Sequence, residues 1–275
     1  MTSKTLNEEA IRVLQTANAV EKAQTAQAVC AAWRAGELTN DGSIWREPPD
    51  RPARPDAPEL ISATRMPRRN PSGEKGRFAL LHSLAHIELN AVDLAFDMVA
   101  RFGCRQDGVA HPPPPPGFVD DWMRVGDEEA KHFLAVEDRL IALGGHYGDL
   151  PAHDGLWEAA LETRHHMMAR LAIVPLVLEA RGLDVTPRMI RRLQGAGDKE
   201  SVATLEMIYS DEKGHVRVGM QWFHWLADLN GETPHEVFHR LVQQYFRGKL
   251  KPPFNHEARA EAGLTEIFYL PLSAV

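Results

Sequence analysis

Four stretches of this chain read as long helices, and each plants one glutamate on a face otherwise built from apolar side chains. They cover about residues 74–102, 118–143, 154–181 and 198–227. Residues three, four and seven apart on a helix share a face. Around Glu88 those positions hold Leu81, Leu84, Ala85, Val92 and Ala95, and around Glu129 they hold Trp122, Val125, His132, Phe133 and Val136. Glu179 shares its side with Ala172, Pro175 and Leu176, and Glu212 with Leu205, Ile208, Tyr209, His215, Val216 and Gly219. A buried carboxylate without a partner carries a large free-energy cost or takes up a proton. Each of these four acids therefore needs a counterpart inside the protein.

Two of the four have a histidine three residues on, in "GDEEAKHF" (126–133) and "SDEKGHVR" (210–217). The spacing alone is common. With this many glutamates and histidines chance predicts about one match, and the chain holds five. Glu232 precedes the helix opened by Pro234 and shares no face with His235. Glu236 is the third residue of that helix and is expected to reach back to Thr233 in a capping box. Glu162 and His165 lie about 25 Å from Glu179 along an unbroken helix and read, with His166, as a surface or crossover group. Only Glu129/His132 and Glu212/His215 place acid and imidazole together within an apolar stripe. The neighbouring Glu128 falls instead with Asp121, Arg124, Lys131 and Arg139, on a solvent face.

In chain order the four helices thus carry a lone core glutamate, a Glu-x-x-His, a lone core glutamate and a Glu-x-x-His. This is the ligand set of ferritin-like di-iron and di-manganese bundles. Glu88, Glu129, His132, Glu179, Glu212 and His215 are the candidate metal ligands, enough for two ions. Carboxylate oxygen with imidazole nitrogen suits Fe, with Mn as the alternative, and the lack of thiolates disfavours structural zinc. Which carboxylates bridge is left open. Tyr209, one turn before Glu212, is a candidate hydrogen-bond donor to a ligand, or a core aromatic. The competing reading is a metal-free structural bundle whose acids pair with arginines.

Helical rise tests whether the ligands share a level. Glu88 lies about 22 Å before its helix end and Glu129 about 17 Å after its helix start, which agrees for an antiparallel hairpin. Glu179 lies only about 5 Å before Gly182, while Glu212 is about 21 Å into its helix. A separate short helix at 187–195, capped by Thr186 and begun by Pro187, is expected to cover the difference. A ferritin-like crossover makes the second and third helices parallel, and residues 145–153 are too few to cross a bundle. The 154–181 stretch is therefore expected to break near Arg164–His166, the alternative being a simple up-down-up-down order. Pro175 should free the carbonyl of Leu171 and kink the chain just before Glu179.

The class is all-α. One helix is expected over 6–35, ending near Gly36, followed by a Pro/Arg-rich connector over 46–73 that can lie only as an extended strap or linker. The expected organisation is an N-terminal helix with connector (1–73), a ferritin-like four-helix bundle (74–230), and a C-terminal helix with tail (231–275). Residues are 44% hydrophobic and 25% charged, as in ordinary globular proteins. No apolar run approaches the roughly 18 residues of a membrane span, and the N-terminus lacks the pattern of a signal peptide. The expectation is a cytoplasmic protein with no membrane partner. Cys30 and Cys104 make no disulfide framework. A net charge of −7 argues against general nucleic-acid binding. Arg65, Arg68, Arg69, Arg188, Arg191 and Arg192 would reopen that question if they converged on one face.

The motifs "LLHSLAHIELNAVDLAFD", "DEEAKHF", "HYGDLPAHDGLWEAA", "LEARGLDVTPRMI" and "YSDEKGHV" resemble the ferritin-like family known as domain of unknown function 455. The resemblance covers most of the chain, including the helix ending "AAWRAGEL" and the connector, and all six candidate ligands are present. More distantly the chain is similar to the tRNA isopentenyl-adenosine hydroxylases, which use a di-iron centre for O2-dependent hydroxylation. The resemblance implies an oxidoreductase with two Fe ions and O2 as co-substrate. It also implies a small-molecule or modified-nucleoside substrate, a reductase or other electron donor and, as a possibility, a homo-oligomer. Iron oxidation and storage is the alternative role.

Overall fold

The computed structural model describes residues 4–42, 44–67, 73–104, 114–247 and 249–273. These form an all-α helical protein whose described strands are two short parallel segments, β1 (Lys4–Thr5) and β2 (Leu38–Thr39). No helix among the described residues is long and apolar enough to cross a membrane. The chain groups into two compact units, Met1–Trp157 and Glu158–Val275.

In the first unit the helix expected over 6–35 is two helices, α1 (Leu6–Gln15) and α2 (Ala19–Arg34). Asn18 divides them: its side chain accepts the Glu21 N–H at 2.9 Å, and an N-cap of this kind competes with continued helix. Gly36, at φ +70°, follows α2. Next come α3 (Gly73–Met98), which runs on as a π turn over Val99–Gly103, and α4 (Pro116–Ala142), which begins with proline at its first position. They pack antiparallel. A methyl group on Gly103 would meet Val119 and Phe118, one on Gly126 would meet Phe96, and one on Gly145 would meet Phe78. At Gly126 the added carbon would stand 2.9 Å from the Phe96 ring, so the absence of a side chain lets the two helices close.

The connector is a strap, as expected, held by backbone and side chain. Ala53 N–H donates to the Leu14 carbonyl, and Ile61 and Glu59 exchange hydrogen bonds with Ala152. Trp157 Nε1 donates to the Asp50 carbonyl at 2.9 Å. The edge of α3 away from Glu88 is polar and grips this strap. Asp93, fully buried, pairs with Lys22 at 2.5 Å and with Arg54 of the strap at 2.7 Å. Arg54 also donates to Asn90 at 2.6 Å, and Lys22 to the Ala53 carbonyl at 3.0 Å. Burial pushes the Lys22 ammonium below its ordinary pKa, against the pull of Asp93.

The second unit takes up the chain within α5 (Gly155–Glu162). The expected break is present: residues 163–166 are non-helical, and His166 caps α6 (Met167–Ile173). Arg170 holds the break closed. Its buried guanidinium donates to Thr163 Oγ1 at 3.0 Å and to the Ala160 carbonyl at 2.6 Å. After α6 comes a π turn over Val174–Glu179, then α7 (Ala180–Gly195).

That continuity corrects two expectations, since the helix does not stop at Gly182 and no separate helix starts at Pro187. Pro187 lies inside α7. A mid-helix proline strips the carbonyl four residues earlier of its donor, here Leu183, and Asn255 supplies one from Nδ2 at 3.1 Å. The chain then turns through Gly197 into α8 (Lys199–Asn230), capped by Asp198 and closed by Gly231 at φ +66°. Among the described residues α9 (Pro234–Tyr245), α10 (His256–Glu261) and α11 (Glu266–Tyr269) follow, with a 3-10 turn over Leu270–Leu272. The expected capping box at α9 is not made. Thr233 forms no side-chain cap bond, and its carbonyl instead accepts the Val237 N–H.

Candidate metal centre

Within the first unit the antiparallel hairpin delivers Glu88 and Glu129 to one level, as the helical rise requires. Glu88, Glu129 and His132 are all buried. His132 Nδ1 lies 3.3 Å from Oε2 of Glu88 and 3.4 Å from Oε2 of Glu129, and each residue offers a ligand atom within 4.8 Å of the others. A buried glutamate–histidine group of this kind could hold a metal ion. Burial raises the Glu88 carboxyl to about 8; the bond from His132 opposes this and the charge of Glu129 adds to it. One imidazole nitrogen faces two carboxylates here, and it can carry only one proton. A cation placed among the three atoms would meet two oxygens and one nitrogen.

A family model described as "Protein of unknown function (DUF455)" matches residues 15–270. The chain belongs to this family. A curated relative from Haemophilus influenzae, described as "Uncharacterized protein", is 40% identical over 217 residues, covering 77% of this chain and 73% of its own. No solved structure matches.

Within the second unit of this DUF455 chain, Glu212 and His215 lie on α8, with His215 Nδ1 3.9 Å from Oε2 of Glu212. Glu179 is half-buried and closes the π turn. The Ala180 N–H reaches back five residues to the Pro175 carbonyl, which is the bond that defines such a turn. Pro175, expected to disturb the helix just before Glu179, lies at the start of this widened turn. Gly219, one turn after His215, lies against it: an added methyl carbon would sit 2.6 Å from Pro175 Cβ and 2.7 Å from its Cγ. Because α7 continues to Gly195, Glu179 lies about 24 Å before that end and Glu212 about 20 Å into α8. The mismatch read from the sequence disappears.

Tyr209 belongs to the packing of the C-terminal segment. Its hydroxyl accepts from Asn255 Nδ2 at 2.8 Å, and Lys213 Nζ stands 5.2 Å from its ring centre. Glu162 pairs with Arg247 at 2.6 Å, and His165 meets the Tyr245 hydroxyl at 3.4 Å, both at exposed positions. The surface reading of that pair holds. Arg68 and Arg69 lie outside the described residues, whereas Arg188, Arg191 and Arg192 are exposed along α7. Sequence reasoning passed over Gly126 and Gly219 as positioning residues. The signal was present, since each lies on the ligand-bearing face within one turn of Glu129 or His215.

Proposed function

We propose that this chain is a ferritin-like, non-haem di-metal carboxylate protein that binds two Fe ions, or Mn, and acts as an O2-dependent oxidoreductase of the hydroxylase type. The observation that supports this reading is the convergence of Glu88, Glu129 and His132 in a buried, otherwise apolar setting. Glu179, Glu212 and His215 would provide the matching second set, one acid-and-imidazole pair for each ion. Iron held by these residues would supply, when reduced, the electrons needed to activate O2.

The residues of the chain do the rest. The carboxylates would neutralise the cations, and His132 and His215 would each give one nitrogen. Val125, Phe133 and Val136, buried on the helix that carries Glu129 and His132, would keep water from an ion held there. An external electron donor is required. A small molecule or a modified nucleoside is the substrate class that the hydroxylase resemblance suggests. The cytoplasm is the expected compartment.

The test is iron-specific anomalous scattering together with metal-to-protein stoichiometry, on protein purified without chelator and then reduced and exposed to O2. Two iron atoms per chain with O2 uptake support the reading. A chain that binds no transition metal under these conditions ends it. A large closed cage in native mass measurements would favour iron storage.

A further inference from the structure

We propose that the exposed face of α7 is a docking surface for an acidic segment of another protein, gripped by Arg188, Arg191 and Arg192. The surface uses none of the candidate metal ligands and stands apart from the di-metal reading.

Spacings of three and four residues put these arginines on one side of the helix, within about 6 Å along its axis. All three are exposed, and none forms an ion pair or hydrogen bond among the described residues. The acid of α7, Asp184, has a buried side chain paired with Arg259 and Arg181. The opposite side of the helix faces the core through Leu183, Ile190 and Leu193.

Other exposed arginines of this chain find an acid. Arg34 pairs with Asp127, Arg46 with Glu8, Arg240 with Glu232 and Arg247 with Glu162. The sequence has 38 acidic against 31 basic residues. In such a surplus of acid, three neighbouring guanidinium groups without one mark a place kept clear. Folding supplies no reason for it. Like charges three and four residues apart weaken a helix. The negative end of the helix offsets this for Arg192, in the last turn, but its reach does not extend to Arg188.

The occupant follows from what the face offers. Guanidinium forks match carboxylates and phosphates two bonds at a time. A nucleic-acid site commonly engages more phosphates than three cations can meet, or stacks bases on aromatic rings. The exposed residues of α7 include no aromatic side chain. A helix that lies on a membrane sinks its apolar side chains into lipid, and those of α7 face the core. Carboxylates three and four residues apart on a partner's helix repeat the spacing of the three arginines. A contact of this kind is quick to form and sensitive to salt.

The experiment is fluorescence anisotropy of labelled poly-L-glutamate with the full-length protein, at about 50 and about 300 mM NaCl. Poly(U) RNA and phosphatidylserine vesicles are the competing polyanions. Polyglutamate is expected to bind at the lower salt and to be released at the higher. The triple variant Arg188→Gln, Arg191→Gln, Arg192→Gln should bind it about 10- to 100-fold more weakly. Arg46→Gln with Arg247→Gln, which removes two paired arginines, should bind as the wild type does. Arg188→Gln alone should weaken binding while its melting temperature stays at or above the wild-type value, because a repulsion is relieved. Absence of polyglutamate binding overturns the inference, as does equal weakening in both sets of variants. A lower melting temperature in Arg188→Gln with binding intact overturns it too, since the charge would then serve the fold. Tighter binding of poly(U) or of the vesicles, lost in the triple variant, would give the face to nucleic acid or membrane instead.

Discussion

His132 on α4 points its Nδ1 at the Glu88 carboxylate of α3, 3.3 Å away, and at Glu129 on its own helix, 3.4 Å away. Two acids therefore share a single imidazole in a place that water does not reach.

That arrangement gives the metal-free protein a distinctive pH response. The folded state holds the Glu88 carboxyl at about 8, chiefly through burial, against a reference value of 4.5. Between those values the folded chain keeps a proton that the unfolded chain has released. Stability of the chelator-treated protein should fall as pH rises through this window, by up to about 1.4 kcal/mol per pH unit. Urea unfolding at several pH values measures it. Glu88→Gln should flatten the slope. Metal affinity should run the other way and rise with pH, because protons compete for the same oxygens. A metal-free chain that gains stability from pH 5 to pH 8 would contradict the burial argument.

Lys22 and Asp93 are both fully buried and 2.5 Å apart. Lys22→Ala leaves Asp93 with Arg54 alone, and breaking a buried ion pair from one side costs about 3–5 kcal/mol. Changing both residues to apolar ones should cost less than the single substitution. Denaturant midpoints of both single variants and the double variant decide this, and single losses that simply add up to the double loss would show that the pair is not coupled.

Asn255 answers for the carbonyl that Pro187 leaves without a helical donor. Asn255→Ala should cost about 1–3 kcal/mol, since it strands a buried acceptor, and metal content should not change. In a Pro187→Ala background a helical N–H becomes available to Leu183, and the same substitution should cost less. A double-mutant cycle on melting temperature reads the coupling. Strict additivity would mean that Asn255 acts only through its other bonds, to Tyr209 and to the start of α10.

Glu162→Ala and His165→Ala should each change stability by no more than about 0.5 kcal/mol, as exposed positions usually do, and should leave metal stoichiometry unaltered. A loss of bound metal in either variant would place that Glu-x-x-His in the centre after all.

What could be read beforehand was what lies close in sequence. Helical periodicity put Glu88, Glu129 and His132 on apolar faces, and rise per residue put them at one level. The break after Glu162 followed from the length of a crossover. What could not be read depends on partners far along the chain. Continuation of α7 through Pro187 relies on a side chain 72 residues away. The Lys22–Asp93–Arg54 group joins three segments that no periodicity connects. Asn18 is a local signal, yet it competes with a strong helical pattern on both sides, and its capping bond decides the outcome.

The π turn over Val174–Glu179 has a further consequence. Successive residues of an α-helix are turned by about 100° about the axis, and a π turn accommodates one residue more than the regular spiral would. Tightening that turn into regular helix, with every residue kept, would swing the Glu179 carboxylate about a quarter-turn around the helix. The hydrogen-bond register of one turn is thus enough to re-aim that acid, with no change of residue type anywhere in the protein.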